Sequence, residues 1–208
     1  MNRKLIHNSN FILRKILNSN NCIDILKDLI ESFLKIQIKE ITINDLPIIN
    51  GKKSKEYGIV DVRIKTKENE ELNVGIQIID GDYIQNKMFL YFAKIHSNQV
   101  FYNDNRKIAR TITINILDMS YFGSDKYHRV IKIKTNIISD SILETMELHV
   151  LELPKFHKSI EDEISKKEAW TMYFKGQNEK ETENAKEQNS KISKLDGLLE
   201  KYWENEKI

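Results

Sequence analysis

One cysteine, Cys22, stands in 208 residues. A disulfide within the chain and any zinc site built on paired cysteines are therefore excluded, which fits a reducing compartment. Proline occurs only at Pro47 and Pro154, and each closes a segment that reads as a strand. No run of about 18 apolar residues occurs, so no membrane-spanning helix is expected. Residues 1–19 carry basic side chains without the apolar stretch and small-residue cleavage site of a secretory signal. The expectation is a soluble cytoplasmic protein with no membrane partner. Excess charge of one sign is missing too: 33 basic residues face 31 acidic ones, for a net +2. That is neither a constitutive nucleic-acid coat nor an acidic tail, and it identifies no partner. No glycine-rich phosphate loop is present. His7, His96, His128, His149 and His157 show no metal-ligand spacing and read as structural or surface residues.

What the chain does have is alternation between two periodicities, in a length that suits one domain with a core. Asn20 and Asn21 can cap a helix whose Ile23, Leu26, Ile30, Phe33 and Leu34 form one apolar stripe. Lys39–Asn44 alternates as a half-buried strand does. Asp82–Gln99 predicts a second helix, with Tyr83, Met88, Tyr91, Phe92 and Ile95 on its inner side. Three β-branched runs follow, at Thr111–Leu117, Val130–Lys134 and Glu147–Leu153. Helices interleaved with strands favour an α/β domain with a mixed central sheet. Ile160–Phe174 is amphipathic again. Gly176–Ser190, almost all Asn, Gln, Glu and Lys, predicts a mobile linker or an exposed helix. A last helix from about Ser193 carries Leu195, Leu198, Leu199 and Tyr202, to dock on this domain or on another copy. We divide the chain into an α/β domain over 1–156 and a helical extension with a polar linker over 157–208. Removing everything after about Phe174 is expected to leave the sheet folded.

Between the first two helices, Gly58–Ile64, a polar turn over Lys67–Glu70 and Asn73–Ile78 predict a β-hairpin. Side chains of a strand alternate faces, so positions 75 and 77 share the face that Asp61 presents across the hairpin. Asp61 and Gln77 would then form one polar cluster with Gly75 between them. Read from residues alone, Asp61 is a solvated or salt-bridged strand residue, Gly75 marks a bulge or the close approach of a helix, and Gln77 sits in a polar face. Lys52, Lys53 and Lys55 precede Asp61, while Lys87 and Lys94 lie on the following helix. They are ordinary solvated lysines, or phosphate contacts beside a cleft. Tyr121, Phe122 and Tyr127 flank a Gly-Ser-Asp turn and read as cover for the sheet rather than as a platform for bases.

Several stretches in order resemble the PD-(D/E)XK nuclease family transposases, also called recombination-promoting nucleases. These are Asn10-Phe11 to Lys15-Ile16, Asp24–Leu34, Asp61-Val62, the Gln77 strand and Tyr91-Phe92-Ala93-Lys94. The run Ile112–Asp118, Tyr127-His128, Leu148-His149 and Glu152-Leu153-Pro154-Lys155-Phe156 continue the match, over about residues 8 to 175. The resemblance implies a restriction-endonuclease-like fold and Mg²⁺-dependent cleavage of DNA. Asp61 would be the metal ligand, and Gln77 would take the place where related nucleases use lysine to position water. It also implies a glutamate at position 75, where this chain has glycine. Asn8 and Arg110 depart from the family pattern as well.

Hydrolysing a phosphodiester with a divalent ion needs hard oxygen ligands held together. Gly75 offers only its backbone carbonyl. Glu71 shares the face but lies roughly 13 Å back along the strand, and Asp80 has the opposite parity. Asp82 would reach the site only if the chain bends sharply at Gly81. The expectation is therefore a nuclease by ancestry with weak or absent Mg²⁺ binding and impaired or lost cleavage. The alternative is a non-catalytic regulatory module that binds DNA, a second copy of itself or a related nuclease. The abundance of Asn, Ile and Lys matches an A/T-rich, bacterial coding sequence.

Overall fold

Val60, Val62 and Ile64 alternate with Asp61, Arg63 and Lys65, and this period of two makes strand β2, Ile59–Thr66. After the 67–70 turn, with Asn69 at φ 63, the chain returns antiparallel as β3, Glu71–Ile79. The computed structural model describes residues 16–17, 19–44, 59–79, 81–102, 109–132, 146–176 and 178–206. Upstream, helix α1 (Ile23–Leu34) ends at Lys35, whose left-handed φ of 55 turns the chain into β1 (Ile38–Ile43). Helix α2 (Ile84–Tyr102) connects β3 to the parallel β4 (Arg110–Leu117), making a β-α-β crossover. β5 (His128–Lys132) and β6 (Met146–Glu152) complete a mixed six-stranded sheet in the order β1-β2-β3-β4-β6-β5. Helices α3 (Lys166–Lys175), α4 (Glu179–Gln188) and α5 (Ser190–Glu206) follow.

Strand parity assigns the two faces. Val60, Val62, Ile64, Leu72, Val74, Ile76, Ile112, Ile114 and Ile116 join the main core with Leu26, Leu29 and Ile30 of α1 and Trp170 and Met172 of α3. On the other face Ile79, Leu117, Leu148 and Val150 meet Ile84, Met88 and Phe92 of α2. The fold is thus α/β, a mixed sheet between helices, consistent with the restriction-endonuclease-like architecture expected. No helix of the described residues is long and apolar enough to cross a membrane.

Two expectations change. Tyr83, placed on the inner side of α2, is 78% exposed, because it precedes the helix in a left-handed conformation (φ 62) and is not on its helical face. The polar segment Gly176–Ser190 is no linker: α4, capped by Asn178, takes the helical alternative, mostly exposed but with Thr182 and Ala185 buried. The main core includes Ala169, Trp170, Ala185, Ile192 and Leu195. Buried Asp28 of α1 ties these elements together. It accepts from Lys166 Nζ (2.7 Å), Trp170 Nε1 (2.9 Å) and Asn189 Nδ2 (2.6 Å). Burial alone would raise its carboxyl, but these bonds hold it below the usual carboxylate range.

Candidate active site

The β2–β3 register sets Asp61 directly opposite Gly75 and residue 59 opposite Gln77. β4 then brings Thr113 beside Gly75 and Asn115 beside Gln77. One polar stripe therefore crosses three strands, on the face that α2 covers. Asp61 and Gln77 share that face, offset by one pair and beneath α2: they are only 1% and 5% exposed.

Hydrogen bonds fix most of the stripe. Asn73 donates to the Ile95 carbonyl (3.2 Å), which sets its amide orientation, and its oxygen accepts from Asn44 Nδ2 (3.0 Å). The same Asn44 nitrogen donates to Asp61 Oδ1 (3.1 Å). Asn115 donates to the His149 carbonyl (3.0 Å) and accepts from Gln77 Nε2 (2.6 Å). Because a carbonyl can only accept, this chain fixes both amides and commits one donor nitrogen of Gln77 to Asn115. Asp61 Oδ2 has no hydrogen-bond partner among the described residues. Burial pushes the Asp61 carboxyl up to about 6, against the lowering pull of the Asn44 and Asn73 amides and the Lys94 ammonium.

At Gly75 the side chains of α2 press directly on the sheet. A Cβ there would overlap Ile95 Cδ1 and lie 2.5 Å from the Tyr91 hydroxyl. That hydroxyl is anchored, its single proton shared between the carbonyls of Val60 (3.2 Å) and Ile76 (3.4 Å), and Ile95 is fully buried. Gly75 does not have a positive φ, so space and not backbone conformation calls for glycine here. The close helix approach considered from the sequence is what the packing contains.

The remaining candidates lie elsewhere or outside the described residues. Gly81 does bend the chain (φ 69), but Asp82 beyond it is exposed while Asp61 is buried. Lys87 and Lys94 are half-buried on α2. Lys52, Lys53 and Lys55 fall outside the described residues. His128 and His149 meet on the opposite face, ring nitrogen to ring nitrogen at 3.0 Å, and His149 contacts Glu147 at 2.7 Å. Among the described residues no three His, Cys, Asp or Glu side chains are grouped to hold a metal ion. The sequence reading passed over Asn44, Asn73, Thr113 and Asn115. The polar-apolar alternation of Thr111–Ile116 signalled the last two, since it matches that of 73–77.

A sheet of this order, with a crossover helix over an aspartate-bearing hairpin, defines the class as a restriction-endonuclease-like α/β protein. A family model for PD-(D/E)XK nuclease family transposases matches residues 8–208, and the chain belongs to that family. Searches of curated proteins and of solved structures returned no match. Members of such a family are expected to hold Mg²⁺, but the donor set here does not fit it. Among the described residues one carboxylate faces the site, and the volume a side chain at position 75 would need is filled by Ile95 and the Tyr91 hydroxyl.

The buried carboxyl makes stability depend on pH. A carboxyl raised on folding contributes stability that is present below its ordinary 3.8 and lost as pH rises through about 6. Asp61→Asn does not titrate, so its stability relative to the parent should climb by about 3 kcal/mol across that window, a rise of roughly two pH units in pKa. Urea unfolding of both proteins at several pH values measures the difference. A constant offset at every pH would show that Asp61 is not buried as a carboxylate.

Proposed function

We propose that this chain is a DNA-binding member of its family that has lost metal-dependent cleavage at the Asp61 site. One observation carries the reading: Gly75 stands opposite Asp61, and α2 fills the space a second ligand would need. Among the described residues Asp61 has no second acidic ligand beside it with which to share a divalent charge. Retained DNA binding is supported by family membership and by Lys87 and Lys94 on the helix that covers the site. Lys52, Lys53 and Lys55 add to the same footprint if they reach phosphates, giving contacts that hold the backbone without reading sequence.

The experiment pairs two measurements on the same protein. Labelled single- and double-stranded DNA is incubated with Mg²⁺ or Mn²⁺, and binding is followed by fluorescence anisotropy over a salt series. No cleavage is expected above that of the Asp61→Ala variant. Binding should weaken with salt, and the slope of log affinity against log salt should shrink by roughly one for each lysine removed from a phosphate. Asp61-dependent cleavage would overturn the loss of activity. Salt-independent or undetectable binding would overturn the DNA assignment.

A further inference from the structure

Where β5, β6 and the start of α3 meet, on the sheet face away from α2, four side chains form one continuous line of hydrogen bonds. His149 Nε2 and Glu147 Oε1 are 2.7 Å apart, His128 Nε2 and His149 Nδ1 3.0 Å, and Lys167 Nζ and His128 Nδ1 3.4 Å. Lys132 holds the other oxygen of Glu147 at 3.0 Å. The two imidazoles stack with centroids 5.2 Å apart, and Phe33 of α1 meets the His128 ring edge-on at 6.1 Å. Lys167 is steered to its place by the Tyr127 ring, whose centroid lies 5.4 Å from Nζ.

The two ends of the line fix every proton within it. A carboxylate only accepts, so His149 carries its hydrogen on Nε2. An ammonium only donates, so His128 accepts at Nδ1 and carries its hydrogen on Nε2, which it donates to His149 Nδ1. Every ring nitrogen then has a role, and a further proton cannot enter without reversing a bond. The charged groups facing the pair are Glu147 of β6, Lys132 of β5, Lys35 at the end of α1, and Lys167 of α3 with Glu168 beside it. Burial holds both rings below the ordinary 6.5, with His128 pushed down to about 4 by burial, by His149 and by the Lys167 and Lys35 ammoniums. Glu147 pulls His149 the other way. A positive charge on the pair is therefore best held on His149, beside the one carboxylate of the line.

We propose that this line is a proton-operated latch, in which one proton taken from water releases Lys167, and with it one attachment of α3, from the β5–β6 edge. The proton bonds to His128 Nδ1. The hydrogen on His128 Nε2 passes to His149 Nδ1, so His128 stays neutral and His149 becomes an imidazolium that donates to Glu147 on one side and to His128 on the other. Where Lys167 had an acceptor it now faces an N–H donor, and it withdraws. Asp28 keeps the other attachment of the α3 start through Lys166 (2.7 Å), so the device loosens the helix without detaching it. The sign follows from linkage: a histidine lowered on folding contributes stability above its ordinary 6.5, and that contribution is lost as pH falls below it. The latch is closed at neutral pH and opens on acidification. It depends on neither metal binding nor DNA.

The full isotope-labelled chain is titrated from about pH 8 to about pH 4, with imidazole NMR reading the tautomers and hydrogen exchange reading the protection of the Ala169 and Trp170 amides of α3. At the alkaline end both histidines should carry hydrogen on Nε2. Acidification should move the His128 hydrogen to Nδ1, and protection at Ala169 and Trp170 should fall at least about threefold with the same midpoint. Lys167→Met keeps the histidine pair and removes the ammonium, so the pair's midpoint should rise by about half a pH unit and α3 should no longer follow it. Asp61 titrates in the same window, but it is common to both proteins and cancels in their comparison. His128→Phe, which keeps an aromatic ring against Phe33, should abolish the response of α3 as well. An Nδ1–H tautomer of His128 at the alkaline end overturns the proposal. So does protection in α3 that ignores the pair's midpoint, or that follows it equally in Lys167→Met. Should Lys167→Met fail to fold, His128→Phe supplies the same comparison.

Discussion

Gly75→Glu is expected to destabilise the protein by about 3–5 kcal/mol and not to confer cleavage on its own. Two effects add. The first is overlap, because even a Cβ would strike Ile95 and crowd a tyrosine hydroxyl that is bonded to two strand carbonyls. The second is charge, because the new carboxyl would sit opposite Asp61, which is itself 1% exposed and already raised to about 6 by burial. Shortening Ile95 should relieve part of the overlap, so Gly75→Glu with Ile95→Ala is expected to be more stable than Gly75→Glu alone by about 1–2 kcal/mol, a non-additivity that marks direct contact. Only the double variant should then gain thermal stability from Mn²⁺, by mass action at a rebuilt pair of carboxylates. Denaturant unfolding of the parent, both single variants and the double variant measures the coupling, and melts with and without Mn²⁺ report the ion. If Gly75→Glu alone folds like the parent and cleaves DNA, helix α2 does not occupy the ligand's place and the packing account of the site fails.

How much of this site could be read beforehand depended on how local its causes are. The hairpin, the shared face of Asp61, Gly75 and Gln77, and the helix that follows all arise from periodicity within about forty residues, and all were legible. The partners of those residues were not. Asn73 meets Asn44 across the β1–β2–β3 sheet, and Gln77 meets Asn115 only because the crossover through α2 lays β4 parallel to β3. Strand order is not a local property, so the alternation of Thr111, Thr113 and Asn115 with isoleucines was visible while its neighbour was not. The depth of the site was likewise hidden. Nothing in the order of residues says that α2 settles onto Gly75, although a glycine in a strand interior does allow such an approach. Polarity misled in the C-terminal region. An apolar stripe is the signal for a docked helix, and α4 docks with only Thr182 and Ala185 buried, its cap leading into a polar anchor at Asn189.

With that anchor and the core residues beyond it, a chain cut after Phe174 is expected to lose cooperative folding. The cut removes Ala185, Ile192 and Leu195 from the main core and exposes the surface they covered on α1 and around Trp170. Losing large aliphatic core side chains costs about 2–5 kcal/mol each, against a total stability of about 5–15 kcal/mol for a domain. The cut also takes Asn189 from Asp28, leaving a buried carboxylate with fewer of the hydrogen bonds that keep it ionised. Two point variants separate these contributions. Asn189→Ala should cost about 1–3 kcal/mol. Asp28→Ala should cost about 3–5 kcal/mol, because it strands the Trp170 indole and the Asn189 amide together. Asp28 also predicts the sign with pH: its carboxyl is held low, so its contribution is present above the ordinary carboxylate range and fades as pH falls through that lowered value. Thermal and urea unfolding of the truncated chain and of both variants tests the set. A chain ending at Phe174 that keeps the parent's midpoint and a single sharp transition would show that the sheet with α1–α3 folds alone, and that α4 and α5 merely rest on it.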